Sequence, residues 1–244
     1  MYVSATWDDV PHLTQAQKEE MWAAYPAHER DARAKGVPML GSGRVFPIDE
    51  DTIKTPAISI PKHWAQINGI DFGIDHPFGA VNLAWDRDAD CVYVCKTFRQ
   101  RGVTPIIHAA AIKPWGDWIP CAWPHDGLQH DKGSGDQLAG QYRAQGLNML
   151  ADHATHQEGG FGVEAGIMEM TDRMLTGRLK VFDGLNDWFE EFRQYHRDAG
   201  VIVKIKDDLM SATRVGLMML RFAEVETTVN WNSGSRGGGG WLAS

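Results

Sequence analysis

Between Trp64 and Gln100 the chain reads WAQINGIDFG, then GAVNLAWDRD, then CVYVCKTFRQ, three apolar runs of strand length separated by short turns. The segment DRDAD between the second and third is a hairpin signal. Runs this closely spaced leave room only for antiparallel pairing, because a parallel crossover needs a dozen or more residues. After Gln100 the pattern changes. TPIIHAAAIKPWG reads as a helix, WIPCAWPHDG as a buried strand ending in acid, SGDQLAGQYRAQGL as a helix and NMLADHA as a short strand. A helix GVEAGIMEMTDRMLTGRL, a strand KVFDG, a helix LNDWFEEFRQYHRDAG, a strand VIVKIK and a last amphipathic helix DDLMSATRVGLMMLRFAEV follow. Three antiparallel strands followed by alternating helices and strands predict an α/β fold, a mixed central sheet with helices on both faces.

The regular region occupies residues 61–225 of 244. Residues 1–60 read as an arm or linker. In them LTQAQKEEMWAAYPAHERDARAKG opens on a possible capping box, Thr14 with Gln17, and runs at helical spacing to Gly36, with Pro26 expected to kink or split it. Trp7, Trp22 and Tyr25 suggest that this arm packs on something. VPMLGSGRVFPIDEDTI is punctuated by Gly and Pro and reads as loop and short strand. Residues 226–244, ending NSGSRGGGGWLAS, are Gly/Ser-rich and are expected to be disordered.

A formal net charge of −8 argues against a protein held to nucleic acid by its overall charge, but not against a local basic track beside an acidic site. No run approaches the roughly eighteen apolar residues of a membrane span, and MYVSATWDDVPHL lacks the basic start and apolar core of a signal peptide. The expectation is an intracellular protein. Cys91 and Cys95, four apart on a strand, would lie ~13 Å from each other, too far to share a zinc ion. Together with Cys121 they read as buried, reduced, hydrophobe-like thiols.

Asp71 interrupts the first core strand, and burying a lone carboxylate costs several kcal/mol unless it is paired or bound to metal. Asp126 closes the strand CAWPHDG, and Asp207 and Asp208 open the last helix. If the first strand is central and the next parallel strand lies beside it, Asp71 and Asp126 become neighbours. A helix packed across the sheet can bring its N-terminal carboxylates to the same place. Clustered carboxylates repel and take up protons unless a cation sits among them. Hard oxygen ligands suit Mg²⁺ or Mn²⁺, and two such ions about 4 Å apart would stabilise both the attacking and the leaving oxygen of a phosphodiester displacement.

The motifs GIDFGIDHP, AWPHDGLQHDKGSG, HAT…VEAG and KDDLMSATR, taken in order from about residue 67 to residue 222, resemble the ribonuclease H-like nucleases. They are most similar to the C-terminal nuclease domain of the terminase large subunits of tailed bacteriophages. VSATWDDVPHL and GSGRVFP resemble the segment that joins motor ATPase to nuclease in that family. The resemblance implies a ribonuclease H-like fold and a Mg²⁺- or Mn²⁺-dependent endonuclease using two ions, cutting concatemeric duplex DNA during genome packaging. It implies Asp71 as first metal ligand, Asp126 as second, and Asp207, Asp208 or both as third. It also implies a portal protein and a small terminase subunit as partners in the host cytoplasm, with no membrane. The motor ATPase is expected to be missing from this chain, which carries no Walker A spacing.

Other residues carry both a functional and a plain reading. His125 beside Asp126 could touch phosphate, water or the metal shell, although a histidine at a strand end is commonly structural. Asp75, after the first strand, could be an outer carboxylate or part of a turn with His76. Glu164 at a helix start could approach the metal site, yet an acid there needs no such role. Lys132 sits in the glycine-rich HDKGSGD, which could meet a DNA backbone or be a plain surface loop. Lys204, Lys206 and Arg214, with Arg193 and Arg197 near them, fit a DNA track or a solvated face equally well. The stripe Leu209, Val215, Leu217, Met218 and Leu220 reads as core. Two other readings compete. One is a different enzyme of the same fold: a resolvase or transposase, which share the carboxylate chemistry, or an actin-like kinase, for which IDFG is suggestive but a second phosphate loop is lacking. The other is a non-catalytic module docking on a portal or capsid.

Overall fold

A computed structural model of the protein describes residues 6–10, 12–24, 34, 43–73, 76–129, 137–198 and 200–227. Asp75, Lys132, Tyr25, Pro26 and the tail from residue 228 lie outside the described residues, and so do the readings attached to them. In the arm, helix α1 (Gln15–Ala24) starts on the expected capping box. Thr14 donates its N–H and Oγ1 to Gln17 Oε1, both at 2.9 Å, and Gln17 N–H returns to Thr14 Oγ1 at 3.3 Å. The helix buries none of its residues.

The segment after the arm is built into the sheet. Helix α2 (Glu50–Ile53) leads into strand β1 (Lys54–Thr55). Phe46 and Ile53 are fully buried, and Phe46 stacks on Phe192 at 5.8 Å. Burying side chains of this size stabilises by about 1.5–3 kcal/mol each, so residues 43–55, which sequence places in the arm, are packed as part of the domain.

Strands β2 (Ala65–Asp71), β3 (Phe78–Asp86) and β4 (Cys91–Gln100) form the expected antiparallel meander. Strand β5 (Cys121–Ala122) adds parallel to β2, and β6 (Leu179–Phe182) lies parallel between β4 and β1. The six-stranded order is β1-β6-β4-β3-β2-β5. Helices α3 (Pro105–Ile112) and α4 (Leu138–Ala144) pack on one face, over Ile70, Phe78, Ala80 and Trp123. Helices α5 (Val163–Leu175), α6 (Asn186–Gln194) and α7 (Asp208–Met218) pack on the other, over Ile67, Val81, Leu83 and Val94. The mixed sheet with helices on both faces is as expected, and the three cysteines are buried and free.

Three strand readings shrink in the structure. The strand read over WIPCAWPHDG is hydrogen-bonded as β-structure only at Cys121 and Ala122. Pro120 and Pro124 flank it and have no N–H to give a ladder, so the chain turns into a 3₁₀ helix, His125–Leu128, in which Asp126 is the second residue rather than a strand end. NMLADHA contributes one bridge, Met149 with Cys121. VIVKIK stays off the central sheet. Val201–Ile202 (β8) pairs with Arg197–Asp198 (β7) in a separate hairpin around Gly200, whose φ of +83° suits glycine. That hairpin also ends the α6 reading early, at Gln194.

The last helix approaches the sheet through glycines. A Cβ on Gly69 would lie 2.0 Å from the Ala212 carbonyl oxygen, one on Gly216 2.7 Å from Leu83, and one on Gly79 2.6 Å from the Asp208 carbonyl oxygen. The expected core stripe Leu209, Val215, Leu217, Met218 and Leu220 is buried along this contact.

Candidate active site

Side chains alternate along a strand, so Ile67, Gly69 and Asp71 share the face that carries α7. Asp71 ends β2 directly opposite Gly79, and Gly79 lies opposite Arg99 on β4. The row Asp71–Gly79–Arg99 therefore has a gap in its middle, and Asp208, at the start of α7, sits over it. On the other side β5 runs beside β2, Gly69 opposite Ala122, which delivers the turn holding Asp126 to the same end of the sheet. Asp71, Asp126, Asp207 and Asp208 all line one open cleft of about 690 Å³.

The electrostatics follow from that convergence. Burial pushes the Asp71 carboxyl well above the usual carboxylate range, and the charges of Asp126, Asp207 and Asp208 push it further, against the pull of Arg214. Burial also raises Asp207, opposed by Lys204, His76 and Arg214. Asp208 is pushed up to about 6, by burial first and by Asp207 next. It is 4% exposed, and its Oδ2 is buried without a hydrogen-bond partner. A buried carboxylate oxygen with no donor, among three further carboxylates, fits a hard divalent cation. Among the described residues, no three His, Cys, Asp or Glu side chains already stand in a ready metal-holding group.

The remaining sequence candidates divide. His125 lines the cleft with its ring stacked on Phe161 at 4.9 Å and edge-on to His153 at 4.8 Å. Glu164 lines it too, held by Arg197 at 2.8 and 2.5 Å. Lys204 and Arg214 line it. Arg214 donates to Ser211 Oγ at 3.1 Å, while its Nε is buried and unpartnered. Lys206 does not join the lining and pairs with Glu190 at 2.6 Å. His76 and Phe161 also face the cleft.

Sequence reasoning missed Glu191. It is fully buried on α6 and holds Arg99 at 2.6 Å through Oε1. Its Oε2 accepts the N–H groups of Leu209 at 2.7 Å and Met210 at 3.2 Å. Burial raises its carboxyl to about 7 in spite of Arg99. The signal was present in DWFEEF. Trp188, Phe192 and Tyr195 are spaced as one apolar stripe, and Glu191 falls inside it.

The family model described as "Terminase RNaseH-like domain" matches residues 68–220, a span that contains all four acids. The chain belongs to the terminase RNaseH-like domain family. It is 50% identical over 224 residues to the terminase large subunit of Salmonella phage P22, covering 91% of this chain and 45% of that protein. The large subunit of Enterobacteria phage LP7 is 50% identical over 218 residues, covering 89% and 46%. The chain thus spans a little under half the length of the curated relatives it matches. The solved P22 large terminase nuclease domain superposes with a TM-score of 0.71 at 49% identity, over 76% of this chain and 96% of that one. A large terminase from a thermophilic bacteriophage shares the fold, with a TM-score of 0.58 at 16% identity, over 91% of this chain and 56% of that one. The terminase nuclease and ribonuclease H-like fold expected from the motif order are therefore confirmed. No described helix of this terminase domain is long and apolar enough to cross a membrane.

Proposed function

We propose that this terminase domain is a divalent-metal-dependent endonuclease that cuts concatemeric duplex DNA by two-metal hydrolysis during genome packaging in the host cytoplasm. The observation that carries the reading is the convergence of Asp71, Asp126, Asp207 and Asp208 on one cleft, with Asp208 Oδ2 buried and unpartnered. Asp71, Asp126 and Asp208 would hold the metal directly, and Asp207 would contribute directly or through water. Mg²⁺ or Mn²⁺ bound there would supply positive charge to the attacking and leaving oxygens of the phosphodiester. The chain's own residues do the rest. Lys204 and Arg214 hold the DNA phosphates at the cleft wall, and Lys132 and Lys206 are further cations for phosphate contact. His125 and Glu164 line the same cleft as the acids. The docking-module alternative gives no use for four carboxylates gathered at one cleft. The motor ATPase, the portal protein and the small terminase subunit are the partners this reading calls for.

Asp71→Asn keeps the shape of the side chain and removes its charge. Changes one step removed from a metal ligand already cost about 10–100-fold, so Mn²⁺-dependent nicking of supercoiled plasmid should fall by more than ~100-fold with the circular dichroism unchanged. Unaltered nicking in a folded Asp71→Asn protein would sink the assignment.

A further inference from the structure

We infer that Glu191 and Arg99 are positioning residues for the acidic end of α7, freeing Asp207 and Asp208 to face a metal. An Asp at the N-cap normally turns its own side chain back to accept the N–H of the second or third helical residue. Asp207 occupies that position, and its carbonyl accepts the first intrahelical bond from Ser211 at 2.7 Å, but its side chain makes no capping bond. The donors it would take, Leu209 and Met210 N–H, are held by Glu191 Oε2. The cap comes from α6, so the Asp207 carboxylate remains in the cleft lining.

Glu191 is itself held from the sheet. Arg99 binds its other oxygen, and Arg99 stands in the same cross-strand row as Gly79 and Asp71. A single chain of contacts therefore runs from the strand end bearing Asp71, through Arg99 and Glu191, to the first turn of α7. Trp188, one turn earlier on α6, adds a second tie by donating to Thr213 Oγ1 at 2.9 Å. Neither Glu191 nor Arg99 lines the cleft.

The inference rests on the metal-site reading above, and its test separates the two. The melting temperature is measured against Mn²⁺ concentration in wild type, Glu191→Gln, Arg99→Gln, Arg99→Lys and Asp71→Asn. Glu191→Gln and Arg99→Gln should raise the half-saturating Mn²⁺ concentration about tenfold, and nicking should recover at high Mn²⁺. Arg99→Lys, which keeps a cation beside Glu191, should restore most of the affinity. If Glu191→Gln fails to fold, the variants of the partly exposed Arg99 decide. A lower melting temperature in EDTA with an unchanged Mn²⁺ midpoint in both Gln variants would make the pair merely structural and overturn the inference. A wild type whose melting does not respond to Mn²⁺, like Asp71→Asn, would overturn the metal-site reading and the inference with it.

Discussion

At Asp208 a nearly buried carboxylate has one oxygen without a donor and another acid as its immediate neighbour in sequence. Its pKa is raised from the usual 3.8 to about 6. Between those values the folded protein binds a proton that the unfolded chain does not. By linkage, the contribution of Asp208 to stability falls as pH rises through this window and is least favourable above it. In EDTA at about pH 7.5, Asp208→Asn should therefore melt at or above the wild-type temperature, and its advantage should vanish below about pH 4, where Asp208 becomes protonated in both states. With Mn²⁺ at neutral pH the order should reverse, because a ligand that binds only the folded state stabilises it. Melting curves across this range check the claim, and a gap between the two proteins that ignores both pH and Mn²⁺ would refute it.

Among the elements, α7 decides whether there is a site at all. Its distance from the sheet is set by Gly69, Gly79 and Gly216, and its rotation by the Glu191 cap. Gly79→Ala would drive a methyl group into the Asp208 backbone. Overpacking of this kind costs about 1–3 kcal/mol, and here the relief is a shift of the helix turn that carries the acids. Nicking should fall by more than tenfold, about 1.4 kcal/mol in the barrier, while the melting temperature drops by several degrees. Gly69→Ala, with its Cβ 2.0 Å from the Ala212 oxygen, should be the more destabilising of the two. Gly140→Ala in α4 meets nothing within 4 Å and should be neutral or slightly stabilising. Equal activity in the Gly79 and Gly140 variants would mean that α7 is not held where the strand places it.

Over the whole molecule, a net charge of −8 has to be reconciled with the polyanionic substrate proposed above. The positive charge is local. Lys204 and Arg214 face the cleft, whereas Lys206 is engaged with Glu190 outside it. Removing one cation that neutralises a phosphate lowers the slope of log affinity against log salt by roughly 0.9. Lys204→Ala should show that reduction in fluorescence-anisotropy titrations of a duplex, with Mn²⁺ binding no weaker because Lys204 competes with the ion for Asp207, and Lys206→Ala should show less of it. Binding should vary little with sequence, since phosphate contacts carry no base information. A larger salt-slope change at Lys206 than at Lys204 would relocate the DNA track to the α6 side.

Local chemistry sufficed for much of this. The three apolar runs of β2 to β4, the Thr14–Gln17 capping box, the free buried cysteines and the acids themselves were legible in order, because each depends on residues near one another in sequence. The spacing of strands also implied that Asp71 and the WPHDG turn meet, since a parallel neighbour of a central strand brings its C-terminal end to the same edge. What was not legible depends on contacts between distant segments. Two prolines cut the β5 reading to Cys121–Ala122, and Val201–Ile202 of VIVKIK pairs in a hairpin with Arg197–Asp198 and not with the sheet. Phe46 and β1 joined the domain because Phe192 and β6 offered surfaces their own sequence does not reveal. Glu191 is the sharpest case. Composition makes it a charge on an amphipathic helix, and only the packing of α6 on α7 gives its carboxylate two backbone donors to hold. Sequence supplied the candidate acids, and tertiary structure decided which way they point, because a helix cap supplied from another helix leaves no mark in local spacing.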